Sequence, residues 1–259
     1  MSMKIEKCKL EYLGWSVEAL IFIPSADIKQ SESIALISHG YTSHKTSILN
    51  WPIRLAEEGV PCILFDQPGH YLGSFNEVED FEEYKESAHE LFLIAKSELE
   101  KHIGGPSTYQ RTILCGHSLS GLLSLKALNL SEFAFSNTIA VAVGLGMAPQ
   151  DKLHLFDTPL FKSTLLVREQ FVSPSMGYKA VFQWIKEEKE QLELENKDIY
   201  LLCGEDDNVV GADGAERMQE HLQNQGNNVI LEKPKRMPHH QPELAAPHLK
   251  KFLKDHSLI

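Results

Sequence analysis

Apolar residues along this 259-residue chain follow two alternating rhythms. Short runs rich in aliphatic and β-branched residues predict strands at Lys4–Glu11, Ser16–Pro24, Ile34–Ser38, Pro61–Asp66, Thr112–Cys115, Thr138–Val143, Ile199–Cys203 and Asn228–Glu232. Between them, apolar positions recur at steps of three and four. In the clearest case, Glu79–His102, Phe81, Tyr84, Ala88, Leu91, Phe92, Ala95 and Leu99 form one stripe, and Gly104-Gly105-Pro106 ends it. Further helices are predicted at Ser47–Glu58, Leu119–Leu130, Ala212–Asn224 and Glu243–Asp255. Only Leu13, Gly14 and Trp15 lie near the joint of the first two strands, which reads as an antiparallel hairpin. The remaining strands are far enough apart for helical crossovers. The expectation is an α/β fold with a mostly parallel eight-stranded sheet flanked by helices.

One interval breaks the alternation. About fifty residues separate Val143 from Ile199, where such units usually need roughly two to six. They carry Phe156, Phe161, Phe171, Met176, Tyr178, Phe182 and Trp184, then the charged run KEEKEQLELENK. A helical cap inserted at 149–197 into a core of 1–148 and 198–259 is the functional reading. A longer crossover packed into the main core is the plain one.

Charge narrows the partners. With 25 basic and 36 acidic residues, the net charge of −11 leaves no basic excess to displace counterions, so no nucleic acid is expected. No run approaches the ~18 apolar residues of a membrane span. The opening MSMKIEKCKLEYLG has neither the apolar core nor the cleavage site of a signal peptide. A cytoplasmic protein is the expectation. Cys8, Cys62, Cys115 and Cys203 lie far apart and read as reduced, mostly buried thiols. His239, His240 and His248 lack an established zinc spacing, and no glycine-rich loop follows the first strand. Neither metal nor cofactor is expected.

The most informative segment is RTILCGHSLSGLLSLKAL, Arg111–Leu128. An apolar strand runs into Gly116-His117-Ser118-Leu119-Ser120-Gly121, and a helical pattern follows at once. A nucleophile on a sharp strand-to-helix turn needs small residues two before and two after it, because larger ones would push strand and helix apart. Gly116 and Ser120 meet that need around Ser118, with Ser120 standing where the G-x-S-x-G pattern has glycine. The bland alternative is a turn in which Ser118 or Ser120 caps the helix.

A serine hydroxyl needs a base to take its proton and a third group to orient that base. On sheets of this kind the order is Ser, acid, His. Gly204-Glu205-Asp206-Asp207 follows a predicted strand, and Pro238-His239-His240-Gln241-Pro242-Glu243 follows the last one. Upstream, His39-Gly40-Tyr41 ends another. Acyl transfer needs two backbone N–H groups aimed at the developing oxyanion. Leu119, just after the nucleophile, would supply one and Tyr41 the other, with Gly40 letting the backbone approach. The Tyr41 hydroxyl is a further candidate to point into the site.

LISHGYT (Leu36–Thr42), FDQPGHYLGS (Phe65–Ser74), CGHSLSG (Cys115–Gly121), LLCGEDDNVV (Leu201–Val210) and MPHHQPEL (Met237–Leu244) occur in an order that resembles the α/β-hydrolase superfamily, its serine esterases and lipases above all. The resemblance covers nearly the whole chain and implies the α/β-hydrolase fold. It selects Asp207 over Asp206, since the family's acid falls three residues after the strand-ending glycine. It also makes the Asp66-x-Pro68-Gly69-His70 turn structural and the aromatic-rich insertion a lid. The family's base follows a glycine and stands a few residues before a proline and an acid. Pro238 replaces that glycine, and the spacing to Pro242-Glu243 favours His239 over His240.

The leading expectation is therefore a carboxylic-ester hydrolase acting on a small-molecule ester or acyl substrate through an acyl-enzyme. A serine aminopeptidase or amidase is the alternative, and would need an anion for a substrate amine, with Glu169, Glu187, Glu188 or Glu190 as candidates. Thioesterase or acyltransferase activity would use the same machinery. A catalytically inactive binding protein of this fold is the remaining class.

Overall fold

In the computed structural model, which describes residues 3–104, 109–148 and 158–259, every predicted strand forms. They are β1 (Lys4–Tyr12), β2 (Trp15–Ile23), β3 (Ser33–Ser38), β4 (Cys62–Phe65), β5 (Arg111–His117), β6 (Thr138–Val143), β7 (Asp198–Leu202) and β8 (Asn228–Glu232). One sheet takes all eight in the order β1-β2-β4-β3-β5-β6-β7-β8. β2 pairs antiparallel with β1 and β4, and every pairing from β4 to β8 is parallel.

The helices are α1 (Asn50–Ala56), α2 (Phe81–Ser87), α3 (Leu91–His102), α4 (Leu119–Ala127), α5 (Ser131–Ala134), α6 (Pro159–Arg168), α7 (Tyr178–Gln191), α8 (Gly214–Asn224) and α9 (Ala246–Asp255). Successive strand residues point to opposite faces. Ile34 and Leu36 of β3 accordingly join an apolar cluster with α3, α4 and α8, while Ala35 and Ile37 join one with α1 and α9. All six β3 residues are buried because both faces are covered.

Two predicted helices are interrupted. The stretch Glu79–His102 is α2 and α3 joined by a 3₁₀ turn at Ala88–Glu90, and a 3₁₀ turn at Lys45–Ile48 precedes α1. A 3₁₀ turn has three residues per turn, so apolar positions spaced by three continue the stripe through it. Gly105 and Pro106, expected to stop the longer helix, lie outside the described residues, as do Phe156 and the rest of 149–157.

Between β6 and β7, the described residues 158–197 divide in two. Val172, Met176, Tyr178, Val181 and Trp184 belong to the same apolar cluster as the sheet, with the Trp184 ring edge-on to Phe81 at 5.7 Å. The Tyr71 N–H donates to the Phe171 carbonyl at 2.8 Å and the Ser173 N–H to the Gly69 carbonyl at 2.9 Å, which ties this segment to the loop after β4. Phe161 and Phe182 are partly buried against that cluster and also line a cavity. Trp184 is thus packed into the main apolar cluster, and part of the aromatic content faces open space.

Register sets where the loops emerge. Ser38 lies beside Phe65 and Gly116, His117 beside Val143, and Val143 beside Leu202. The carboxyl ends of β3, β5, β6 and β7 therefore stop in one row, at the edge where open α/β sheets hold their sites.

Candidate active site

The turn from β5 into α4 is as sharp as its sequence requires. Ser118 has φ 49° and ψ −107°, a conformation that costs a non-glycine residue roughly 1–3 kcal/mol. Buried neighbours on both sides hold it there, since α4 is covered along almost its whole length. A Cβ on Gly116 would sit 2.0 Å from the Ser120 carbonyl oxygen, so only glycine fits. Ser118 makes no capping hydrogen bond to α4. Nor does Ser120 cap the helix: its fully buried hydroxyl donates to the His39 carbonyl. The serine that departs from the glycine pattern thereby ties α4 to the loop that follows β3.

Both acid candidates accept hydrogen bonds, with different consequences. Asp207 Oδ2 lies 2.9 Å from His239 Nδ1, and its Oδ1 accepts the Val209 and Val210 N–H groups, each at 3.0 Å. Asp206 Oδ1 accepts the Met237 N–H at 2.9 Å, which fixes the histidine-bearing loop rather than the ring. That loop is also held from below, where Trp51 of α1 donates its indole N–H to the Pro242 carbonyl at 2.8 Å. Two backbone donors on one oxygen and one imidazole on the other give Asp207 a single orientation. His248 turns elsewhere, its Nδ1 lying 2.9 Å from Glu232.

A cavity of about 710 Å³ opens above this row, and Ser118, His239, His240 and Tyr41 all line it. A second, of about 50 Å³, also touches Ser118 and His239. Leu119 begins α4, where the N–H groups of the first turn have no intrahelical partner. The Tyr41 hydroxyl is not directed at the site: it donates to the Met176 carbonyl at 2.7 Å and fastens the turn after β3 to the insertion. Gly40 also serves a purpose other than backbone access. A Cβ there would lie 2.6 Å from His117 Nδ1, so the glycine makes room for a histidine ring.

Sequence reasoning passed over His117. Its ring packs 4.8 Å from that of His239, and burial, reinforced by the nearby His239, His39 and His240, pushes it well below the ordinary histidine range. It stays neutral beside the His239 ring. The requirement for glycine at position 40 was the available signal, legible only once the pairing of β3 with β5 is known. His240 is lowered too, by burial first and then by His239 and Arg168, and it stacks on Phe161 with ring centres 6.4 Å apart. His70 is fully buried, its Nδ1–H donates to the Pro68 carbonyl oxygen at 2.9 Å, and it is pushed down to about 3 by burial and His39. It supports the turn and lines neither cavity.

None of the four glutamates considered as amine anchors lines either cavity. Glu188 pairs with Lys126 and accepts from the Trp184 indole, Glu187 accepts from Gln183, Glu169 accepts the Tyr178 N–H, and Glu190 is exposed. The insertion contributes Phe161, Leu165, Arg168 and Phe182 to the larger cavity and Lys189 to the smaller. No group of histidine, cysteine and carboxylate side chains suited to a metal ion occurs among the described residues. No described helix is long and apolar enough to cross a membrane.

The sequence profile of the alpha/beta hydrolase family matches residues 35–247. A soluble variant of monoglyceride lipase from Saccharomyces cerevisiae, in complex with a substrate analog, has a similar structure: TM-score 0.68, 15% identity, 97% of this chain and 95% of that one. A highly thermostable carboxyl esterase from Bacillus coagulans, in complex with glycerol, is similar over 98% of both chains, with TM-score 0.66 and 14% identity. A cold-adapted esterase from an Arctic intertidal metagenomic library gives TM-score 0.61 and 16% identity over 98% of this chain and 94% of that one. No curated protein sequence matches. At such identities the structural likeness carries the fold.

Proposed function

This chain belongs to the alpha/beta hydrolase family, and within it we propose that it is a serine hydrolase cleaving carboxylic esters through an acyl-enzyme. Ser118 Oγ attacks the ester carbonyl while His239 Nε2 takes its proton. Asp207, bonded to Nδ1, holds the ring in the tautomer that leaves Nε2 free to accept, and stabilises the imidazolium that forms. The N–H groups of Tyr41 and Leu119 receive the oxyanion. Collapse expels the alcohol, which takes the proton back from His239. Water then repeats the sequence and releases the acid. His240 lines the site mouth, and the insertion at 149–197 acts as a cap over a core of 1–148 and 198–259.

The observation that carries this reading is the 2.9 Å contact of buried Asp207 with His239, a histidine that lines the same cavity as Ser118. Esterase and lipase neighbours at low identity agree with it. The apolar side chains of Phe161, Leu165 and Phe182 suit an ester with a hydrocarbon portion. The test is turnover of 4-nitrophenyl acetate, butyrate and octanoate beside aminoacyl-4-nitroanilides. Ester cleavage should be faster. Faster anilide cleavage would make the protein an amidase on the same machinery.

A further inference from the structure

Phe161, Leu165 and Arg168 are spaced by four and three along α6, so they share one face, and all three line the larger cavity. A cation at a helix C-terminus favours the helix dipole. That explains a basic residue at position 168 but not a side chain turned into a cavity. Arg168 is half-buried and makes no ion pair or hydrogen bond among the described residues. Arg54 and Arg217, by contrast, pair with Glu57 and Asp213. The charge of Arg168 is felt by His240 and, after that of Glu169, by Tyr41, and Arg168 but not Glu169 lines the cavity.

A second cation lines the smaller cavity, which Ser118 also touches. Lys189 of α7 is buried, donates to the Gly146 carbonyl, and lines the smaller cavity with Phe182 and Ile185 of the same helix face. Glu243 is the acid among the described lining residues of the two cavities. It stands on the turn Pro242–Ala245, which packs against α1 and is no part of the insertion. In a chain with a net charge of −11, the described part of the insertion thus lines the two cavities with two cations and no anion.

We propose that the site selects esters bearing a carboxylate away from the scissile bond, and that Arg168 is the anchor for that carboxylate. The proposal rests on the serine-hydrolase reading of the same cavity. A guanidinium matches a carboxylate with two parallel N–H donors, and partial burial strengthens the pair. Phe161 and Leu165, on the same face, would hold the carbon chain between anchor and ester. Arg168 is here a specificity residue and takes no part in proton transfer.

The test compares mono-4-nitrophenyl adipate and suberate with their neutral methyl esters, and 4-acetoxybenzoate with methyl 4-acetoxybenzoate. These put the carboxylate on the acyl and alcohol sides in turn. In the wild type, kcat/KM for the charged member of at least one pair should exceed its neutral twin by about tenfold or more. Arg168→Gln should remove that preference while changing turnover of the neutral esters by about threefold or less, and Arg168→Lys should keep part of it. Equal or better turnover of the neutral twins by an enzyme that hydrolyses 4-nitrophenyl butyrate would overturn the anchor and leave the esterase intact. The wild-type comparison decides this even if a variant fails to fold. An absence of turnover on every ester, with Ser118 unreactive to a fluorophosphonate, would instead remove the underlying reading.

Discussion

Gly116 and Gly121 flank the same turn, yet the structure predicts very different consequences for replacing them with alanine. At Gly116 the new Cβ would lie 2.0 Å from the Ser120 carbonyl oxygen and 2.6 Å from the Gly121 nitrogen. Both are backbone atoms, so no side chain can swing aside. Relief would require β5 and α4 to part by more than an ångström. β5 is paired on both edges and α4 is buried along nearly all its length. Close-packed interiors do not yield so far, and typical overpacking costs of about 1–3 kcal/mol set a lower bound. Gly116→Ala should therefore cost about 3–5 kcal/mol, a large share of the ~5–15 kcal/mol that holds a typical domain together. At Gly121 the nearest atoms stand at 3.2 and 3.5 Å, and the position is helical, where alanine gains about 1 kcal/mol over glycine. Gly121→Ala should change stability by about 1 kcal/mol or less in either direction. Urea denaturation of the two variants, followed by tryptophan fluorescence, measures the contrast. Equal stabilities within about 1 kcal/mol would refute the account of this turn.

The base is assigned by a matched pair of variants: His239→Ala should lower kcat by about 10⁴–10⁶, and His240→Ala should stay within about tenfold of wild type. The reverse pattern in ester turnover would move the base to His240. Asp207→Asn should lower kcat about 10⁴-fold by allowing the wrong imidazole tautomer. Asp206→Asn keeps an oxygen for the Met237 N–H, and its kcat should fall by about tenfold or less. Burial pushes Lys189 down to about 8 from 10.5. Between these values the unfolded chain binds more protons than the folded one, so stability rises with pH through that window. Wild type should gain on Lys189→Met from pH 8 to 10.5 by an amount approaching about 3 kcal/mol, read from urea midpoints, and a flat difference would contradict the burial of a charged amine.

The strands were legible because a strand covered on both faces is a short, nearly unbroken run of aliphatic and β-branched residues, and the turn at Ser118 because its steric demands fall within a few neighbouring residues. What periodicity could not convey is pairing in space. His117 occupies room left by Gly40, seventy-seven positions earlier in the chain, so neither residue explains itself locally. The break at Ala88–Glu90 was invisible because 3₁₀ and α turns share a spacing of three. Lys189 lies in a run that reads as a solvated face, yet it continues the face of Phe182 and Ile185 at steps of three and four. The register was present, and the charge masked it. Arg168 was hidden for the same reason, as a charged residue completing the face begun by Phe161 and Leu165.

The central claim is that Ser118 is an activated nucleophile. It is tested most directly by incubating the folded protein with a fluorophosphonate and locating the adduct by peptide mass spectrometry. One adduct per chain, on Ser118, with labelling much slower in His239→Ala, is the predicted result. A protein that is folded by circular dichroism yet remains unlabelled, or carries its adduct on another residue, would contradict the claim.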